Sequence, residues 1–185
     1  MIRINFRTLI GLITVFTLLN SCQTENKTAR QKFISGNKKV LVCPVHILEN
    51  QTSYYDTISS QKIAAYINGK KYASASLTQL CPPANNEWHA NEAKILTASI
   101  NLVIEFVKKQ NLPDDTYLLY PEFLKAGSGA IIVAVHYCVV NNRGEVAFRG
   151  LINSDWKEFK KVNPKTNDDC VSVFINGFEE KMKKK

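Results

Sequence analysis

The sequence predicts an α/β fold: three layers, α/β/α, around a mixed five-stranded sheet in the order 2-1-3-4-5 with the fourth strand antiparallel. Three observations carry this. A near-continuous apolar run at residues 40–47 has the character of a strand buried on both faces. Stretches with apolar residues at helical spacing alternate with further strand-like runs, the pattern of β-α-β units. The turn Asn141-Asn142-Arg143-Gly144 joins the last two runs as a hairpin. Right-handed crossovers then place the first three strands as 2-1-3, and the hairpin extends that edge.

The first strand is Val40-Leu41-Val42-Cys43-Pro44-Val45-His46-Ile47, with Pro44 removing one ladder donor at a bulge or break. After a turn at Tyr54-Tyr55-Asp56, a helix with Ile58, Ile63, Tyr66 and Ile67 inward is capped by Thr57 or Ser59 and stopped by Gly69. Residues 72–80 read as the second strand. Cys81-Pro82-Pro83-Ala84-Asn85-Asn86 must be a loop. A long helix follows over residues 87–110, its stripe made of Ala93, Leu96, Ile100, Val103, Ile104 and Val107. Strands at 116–124, 130–140 and 145–153 come next. A last helix opens at 164–169 and turns Val171, Phe174 and Phe178 inward.

The first residues have the layout of a secretory signal. Arg3 and Arg7 precede the apolar residues 9–19, a run too short for a membrane-spanning helix, which needs about 20 apolar residues. Leu19-Asn20-Ser21-Cys22 resembles the lipobox of bacterial lipoproteins. That resemblance implies removal of residues 1–21, acylation of Cys22 with palmitate-type chains, and a lipid anchor in the cell envelope, most naturally on the outer membrane at its periplasmic or surface face. Residues 22–39 then read as a polar flexible tether, 40–180 as one α/β domain and 181–185 as a basic tail.

The net charge of +8 divides unevenly. Residues 40–180 hold thirteen Lys or Arg against fifteen Asp or Glu, so the basicity lies in the two tails. A near-neutral body argues against a nucleic-acid-binding face, which needs positive charge on the folded surface. Solubilised ends, or contact with anionic lipid or glycans, are the readings of the tails.

Cysteine and histidine do not assemble a catalytic or metal site. Cys43 and His46, three apart on one strand, are expected on opposite faces. His136 and Cys138 share a face but make half a zinc site. We therefore expect no metal, no cofactor and no catalytic residue, with His136 packed in the core. In an oxidising envelope Cys43, Cys81, Cys138 and Cys170 allow three pairings for two bridges, and free buried thiols are equally compatible. Cys43 with Cys138 is disfavoured by an intervening strand. Asp114-Asp115 and Asp168-Asp169 read as caps or solvated pairs.

The expected place for a ligand or partner is the crevice beyond the first and third strands. Glu49, Asn50, Tyr54, Tyr55 and Asp56 form one wall; Glu122, Phe123 and Lys125 form the other, with Trp88-His89 nearby.

Val40-Leu41-Val42-Cys43-Pro44-Val45 also looks like the opening strand of the curli-secretion lipoprotein family and of the amino-terminal domain of TolB in the Tol system. Thr116-Tyr117-Leu118-Leu119-Tyr120, Val133-Ala134-Val135 and Val139-Val140-Asn141-Asn142-Arg143-Gly144-Glu145-Val146 are similar to their later strands. Lipoprotein activators of peptidoglycan synthases share that domain and its lipid-plus-tether arrangement. The resemblance spans residues 40–180. It departs at Glu49-Asn50-Gln51-Thr52-Ser53, which lacks the usual glycine, and in having no long membrane-spanning hairpins. It implies the α/β fold and a place in the envelope, not a pore. The expectation for the chain is a membrane-anchored envelope lipoprotein that binds or assembles a protein partner without enzymatic activity. The alternative expectation is an envelope enzyme or small-ligand-binding protein using the crevice.

Overall fold

The computed structural model describes residues 24–183 apart from Gln51 and Gly129, so Cys22 and the expected signal, residues 1–21, lie outside the described residues. The chain folds as mixed α/β, with a seven-stranded mixed sheet and five helices among the described residues. In order these are α1 (Lys27–Ser35), β1 (Lys39–Val42), β2 (Val45–Glu49), β3 (Thr52–Asp56), α2 (Thr57–Gly69), β4 (Ser74–Leu77), α3 (Glu92–Lys109), β5 (Thr116–Ala126), β6 (Ile131–Asn141), β7 (Val146–Asn153), α4 (Lys157–Val162) and α5 (Asn167–Lys183).

The hub is β5. Along one edge it pairs in parallel with β1 and then β2, end to end; along the other it pairs antiparallel with β6, which carries β7. Beyond β1 lies β4, parallel, and beyond β2 lies β3, antiparallel. The five-strand expectation is thus corrected to seven. The first run is two strands because Pro44 has no N–H to give the ladder, and the Tyr54-Tyr55-Asp56 turn is strand β3, reached through Asn50 at φ 55°. The second strand shrinks to Ser74–Leu77, and the long helix starts at Glu92 behind an Asn91 cap, so Ala93 is exposed and Ile95 takes its place inside.

The break at Pro44 also changes which side each residue faces. Val42 sits opposite Leu119 and His46 opposite Glu122, so the first run advances four residues while β5 advances three. One extra residue inverts the alternation. Val42, Val45 and Ile47 therefore share one cluster, whereas Cys43 and His46 both lie on the α3 side, against the expectation that they face apart. The freed Val45 N–H donates to Ser60 Oγ at 2.7 Å.

Strand β5 separates two apolar clusters by simple alternation. Tyr117, Leu119 and Phe123 join α1, α2 and α5 on one face; Leu118 and Tyr120 join α3 on the other. Ile58, expected inside α2, is instead 65% exposed, and the cap of that helix is Asp56. Its carboxylate accepts from the Ser59 N–H (3.0 Å), the Ser59 hydroxyl (2.6 Å) and Asn167 Nδ2 (2.8 Å). Burial alone would raise the Asp56 carboxyl, but these bonds outweigh it and hold it below its ordinary value. Asp56→Ala should cost about 1 kcal/mol in chemical denaturation, the usual worth of an N-cap.

The tether reading is corrected over residues 27–35. They form α1, capped by Asn26, and place Ala29 and Phe33 fully inside the larger cluster, where the Phe33 ring meets Tyr117 and Phe148 edge-on at 5.0 and 5.1 Å. The chain just before α1 lies along the free edge of β7: Asn26 N–H donates to the Val146 carbonyl at 2.7 Å, and Glu25 accepts the Arg149 N–H at 3.1 Å. This covers part of an otherwise open edge. The basic tail likewise begins inside α5.

Gly150 on β7 is required by packing. A Cβ there would lie 2.1 Å from the Tyr137 ring on the paired strand, and that ring is itself locked against Phe174 at 5.0 Å. Gly150→Ala should destabilise by about 1–3 kcal/mol, as overpacking does, and show as a lowered urea midpoint with unchanged slope.

Candidate functional site

The chemically richest place is a polar cluster closed inside the α3 side of the sheet. Glu122, on the central strand β5, is flanked by its two ladder neighbours, His46 on β2 and His136 on β6. His46 Nδ1 lies 2.9 Å from Glu122 Oε1 and His136 Nδ1 3.3 Å from Oε2. An ionised carboxylate only accepts, so both Nδ1 atoms carry the donated hydrogens. From α3 the Ser99 hydroxyl reaches both oxygens at 3.2 and 3.3 Å, and Asn85 Nδ2 donates to Ser99 Oγ at 3.4 Å. All four residues bonded around this carboxylate, counting Glu122 itself, are at most 2% exposed.

Burial pushes the Glu122 carboxyl up, yet the hydrogen bonds and charge of His136 and His46 more than reverse this and hold it below its ordinary value. Next to it burial pushes the Tyr120 phenol and the Cys138 thiol well above theirs, which keeps that thiol in its inert, protonated form. Three polar atoms here, His46 Nε2, His136 Nε2 and the Tyr120 hydroxyl, have no hydrogen-bond partner among the described residues. No group of three or more His, Cys, Asp or Glu among the described residues is disposed to hold a metal ion. Sealed under α3 and the preceding loop, the carboxylate fixes the three central strands to each other and to α3. It presents no face to a substrate.

The residues expected along one crevice divide between the two faces of the sheet. Glu49, Tyr54 and Lys125 come together at the surface: Lys125 Nζ lies 3.2 Å from the Tyr54 hydroxyl and 5.8 Å from the centre of its ring, and that hydroxyl lies 3.4 Å from Glu49 Oε2. Asn50 stands beside them and ties two turns, accepting the Gly127 N–H at 3.0 Å. Tyr55 points to the other face, its ring 5.7 Å from that of His46. Asp56 is occupied as a helix cap. Glu122 is corrected from crevice wall to core, and Phe123 is buried on the opposite face. Trp88 packs half-buried against the apolar residues Leu48, Ile95, Leu124 and Ala134.

Ser99 and Asn85 were not anticipated. Their signal was faint: a serine between Ile95-Leu96 and Ile100 on an otherwise apolar helical stripe, and an asparagine in a loop rich in polar residues.

One cysteine pair is joined. Cys43, at the break before Pro44, forms a disulfide with Cys81 in the loop beyond β4, with Cα atoms 5.8 Å apart. Cys138 and Cys170 are free and buried, and burial pushes the Cys170 thiol up to about 12. Both alternatives left open by the cysteine count are therefore realised in one molecule. Among the described residues no helix is long and apolar enough to cross a membrane.

No protein-family model and no curated protein matches this sequence.

Proposed function

We propose that this chain is a membrane-anchored cell-envelope lipoprotein, held through Cys22, that binds or assembles a protein partner and has no enzymatic activity of its own. The observation that carries the reading is the Cys43–Cys81 disulfide. A structural disulfide belongs to an oxidising compartment, which is where the signal and lipobox-like residues 1–22 would send the chain. The resemblance to the curli-secretion, TolB amino-terminal and synthase-activator domains supports the same placement. With it goes a three-layer reading in the order 2-1-3-4-5. What supports that order is the path through the sheet when β1 and β2 are counted as one interrupted strand and β3 is set aside, and what supports the layers is the packing of helices on the two apolar clusters.

The surface best suited to a partner is the end of the sheet that carries Tyr54 and Ile131. Tyr54, on β3, is 44% exposed with Lys125 and Glu49 around it, and Ile131, at the start of β6, is 63% exposed. Exposed aromatic and aliphatic side chains within a polar rim are what a protein interface uses. Photo-crosslinkers placed at Tyr54 and Ile131 in the lipidated protein in its own membranes should trap a discrete partner, while one at Lys160 on α4 should not. Equal or absent crosslinking at all three sites would sink the partner-binding reading, and an intact mass without acyl chains on Cys22 would sink the anchor.

A further inference from the structure

Along the chain the positive charge is split between a leading segment and a trailing one. In the fold the two meet. Lys181 pairs with Glu25, and Arg30 Nη2 donates to the Lys181 carbonyl at 2.7 Å, so α1 and the last turns of α5 lie side by side. Two adjoining surface hollows extend this region. One is lined by Ile34, Ser35, Gly36, Asn37, Lys71, Tyr72 and Met182; the other shares Asn37, Lys71 and Tyr72 and adds Lys38 and Lys39. The tails thus form one basic face around an apolar centre, with Ile34 41% exposed.

Acidic groups neutralise only part of it. Glu179 takes Lys70 and Lys183 at 3.1 and 3.3 Å, and Asp115 takes Lys38 at 2.6 Å. Lys27, Lys39 and Lys71 make no ion pair among the described residues. From Asn26, whose N–H is fixed to β7, α1 leads to this face over nine residues, about 13 Å of helix. Cys22 precedes Asn26 by only four residues, so it stands within about 14 Å of that fixed point whatever its conformation.

We propose that this face, centred on Ile34 and ringed by Lys39, Lys71 and Lys183, docks on anionic phospholipid headgroups. The inference rests on the reading that Cys22 is acylated. A lipid so close to α1 leaves no long tether; it brings the basic end to the bilayer, lets Ile34 and Met182 enter the interfacial layer, and turns the Tyr54 end outward. Lysine stems suit such a boundary because they bury methylenes while the ammonium stays with the phosphates. Nucleic acid offers the same phosphate chemistry, but the anchor sets a membrane, at high local concentration, against this surface.

The test uses the full lipidated chain reconstituted into phosphatidylcholine vesicles with or without about 30% phosphatidylglycerol, a charge density sufficient to attract basic segments. Amine labelling read by mass spectrometry should fall about threefold or more at Lys39 and Lys71 in the anionic vesicles alone, remain unchanged at Lys160 and Lys161, and recover near 1 M salt, where the screening length is about 3 Å. In a Lys39→Glu/Lys71→Glu variant the protection of Lys183 should be lost. Equal labelling in both vesicle types on a protein that does carry acyl chains would overturn the docking and leave the anchor standing. A protein without acyl chains on Cys22 would remove both. Protection by an oligonucleotide in place of anionic vesicles would also overturn it.

Discussion

Glu122→Ala is expected to lower the unfolding free energy by about 3–5 kcal/mol, the range for removing one partner of a buried ionic group and stranding the others. His46 and His136 would each keep a buried Nδ1 hydrogen with nothing to accept it, and Ser99 would lose both acceptors. Glu122→Gln should cost less but not nothing, because an amide replaces one acceptor by a donor facing an N–H. Denaturant titration of both variants gives the comparison. The pH dependence follows from the sign of the shift. The folded carboxyl lies below its ordinary value of 4.5, so its contribution is full above that value and is lost as pH falls through the lower, folded one. The stability gap between wild type and Glu122→Gln should therefore hold steady above about pH 5 and narrow below pH 4.5. A gap that stays flat to pH 3 would mean that the fold does not hold the Glu122 carboxyl below its ordinary value.

Breaking the Cys43–Cys81 bridge should have an effect of similar size. Its cysteines are 38 residues apart, and closing a loop of that length corresponds to about 4 kcal/mol of denatured-state entropy. The loop holds β2, β3, α2 and β4, so the bridge ties the break at Pro44 to the far side of the β4 edge. Paired Cys43→Ser and Cys81→Ser replacements, or reduction under native conditions, should lower the melting temperature by about 8–16 °C, at roughly 2–4 °C per kcal/mol for a chain of this size. A reduced protein that melts with the oxidised one would show that the bridge stabilises nothing. Neither change should affect Cys138 or Cys170, which are buried and free.

The two predictions differ in how far the sequence leads to them. Glu122, His46 and His136 are each visible as polar residues inside apolar strands, and polarity at such positions signals either a bulge or a buried partner. Which partner is a matter of register. The spacing of Cys43 and His46 suggested opposite faces, and one extra residue at Pro44 put both on the same side; without that residue His46 would not reach Glu122. The disulfide was one of several possibilities that a cysteine count alone leaves equal. Its choice depends on where the loop after β4 crosses the first strand, a matter of through-space distance and not of spacing.

The tether shows the same limit in the other direction. Lys27-Thr28-Ala29-Arg30-Gln31-Lys32-Phe33-Ile34-Ser35 is polar and short, and a helix of nine residues is marginal in water without packing. Ala29 and Phe33, four apart, were its only mark of an inner face. A gap among Tyr117, Phe148 and Phe178 receives the Phe33 ring and makes the helix stable, and no part of that gap lies near it in sequence.

What the sequence by itself determined is local and periodic: an alternation of apolar runs and helical stripes that makes the chain α/β, a hairpin at Asn141–Gly144, and the bare inventory of charge and cysteine. Each of these is set by neighbours within a few residues, where backbone geometry alone relates side chain to side chain. Only the tertiary structure decided which face His46 takes, which cysteine meets Cys43, that the crevice residues part to opposite sides of the sheet, and that two basic tails become one surface. Those outcomes depend on register and on segments more than thirty residues apart meeting in space, and a one-residue bulge or a single accepting cavity is enough to change them.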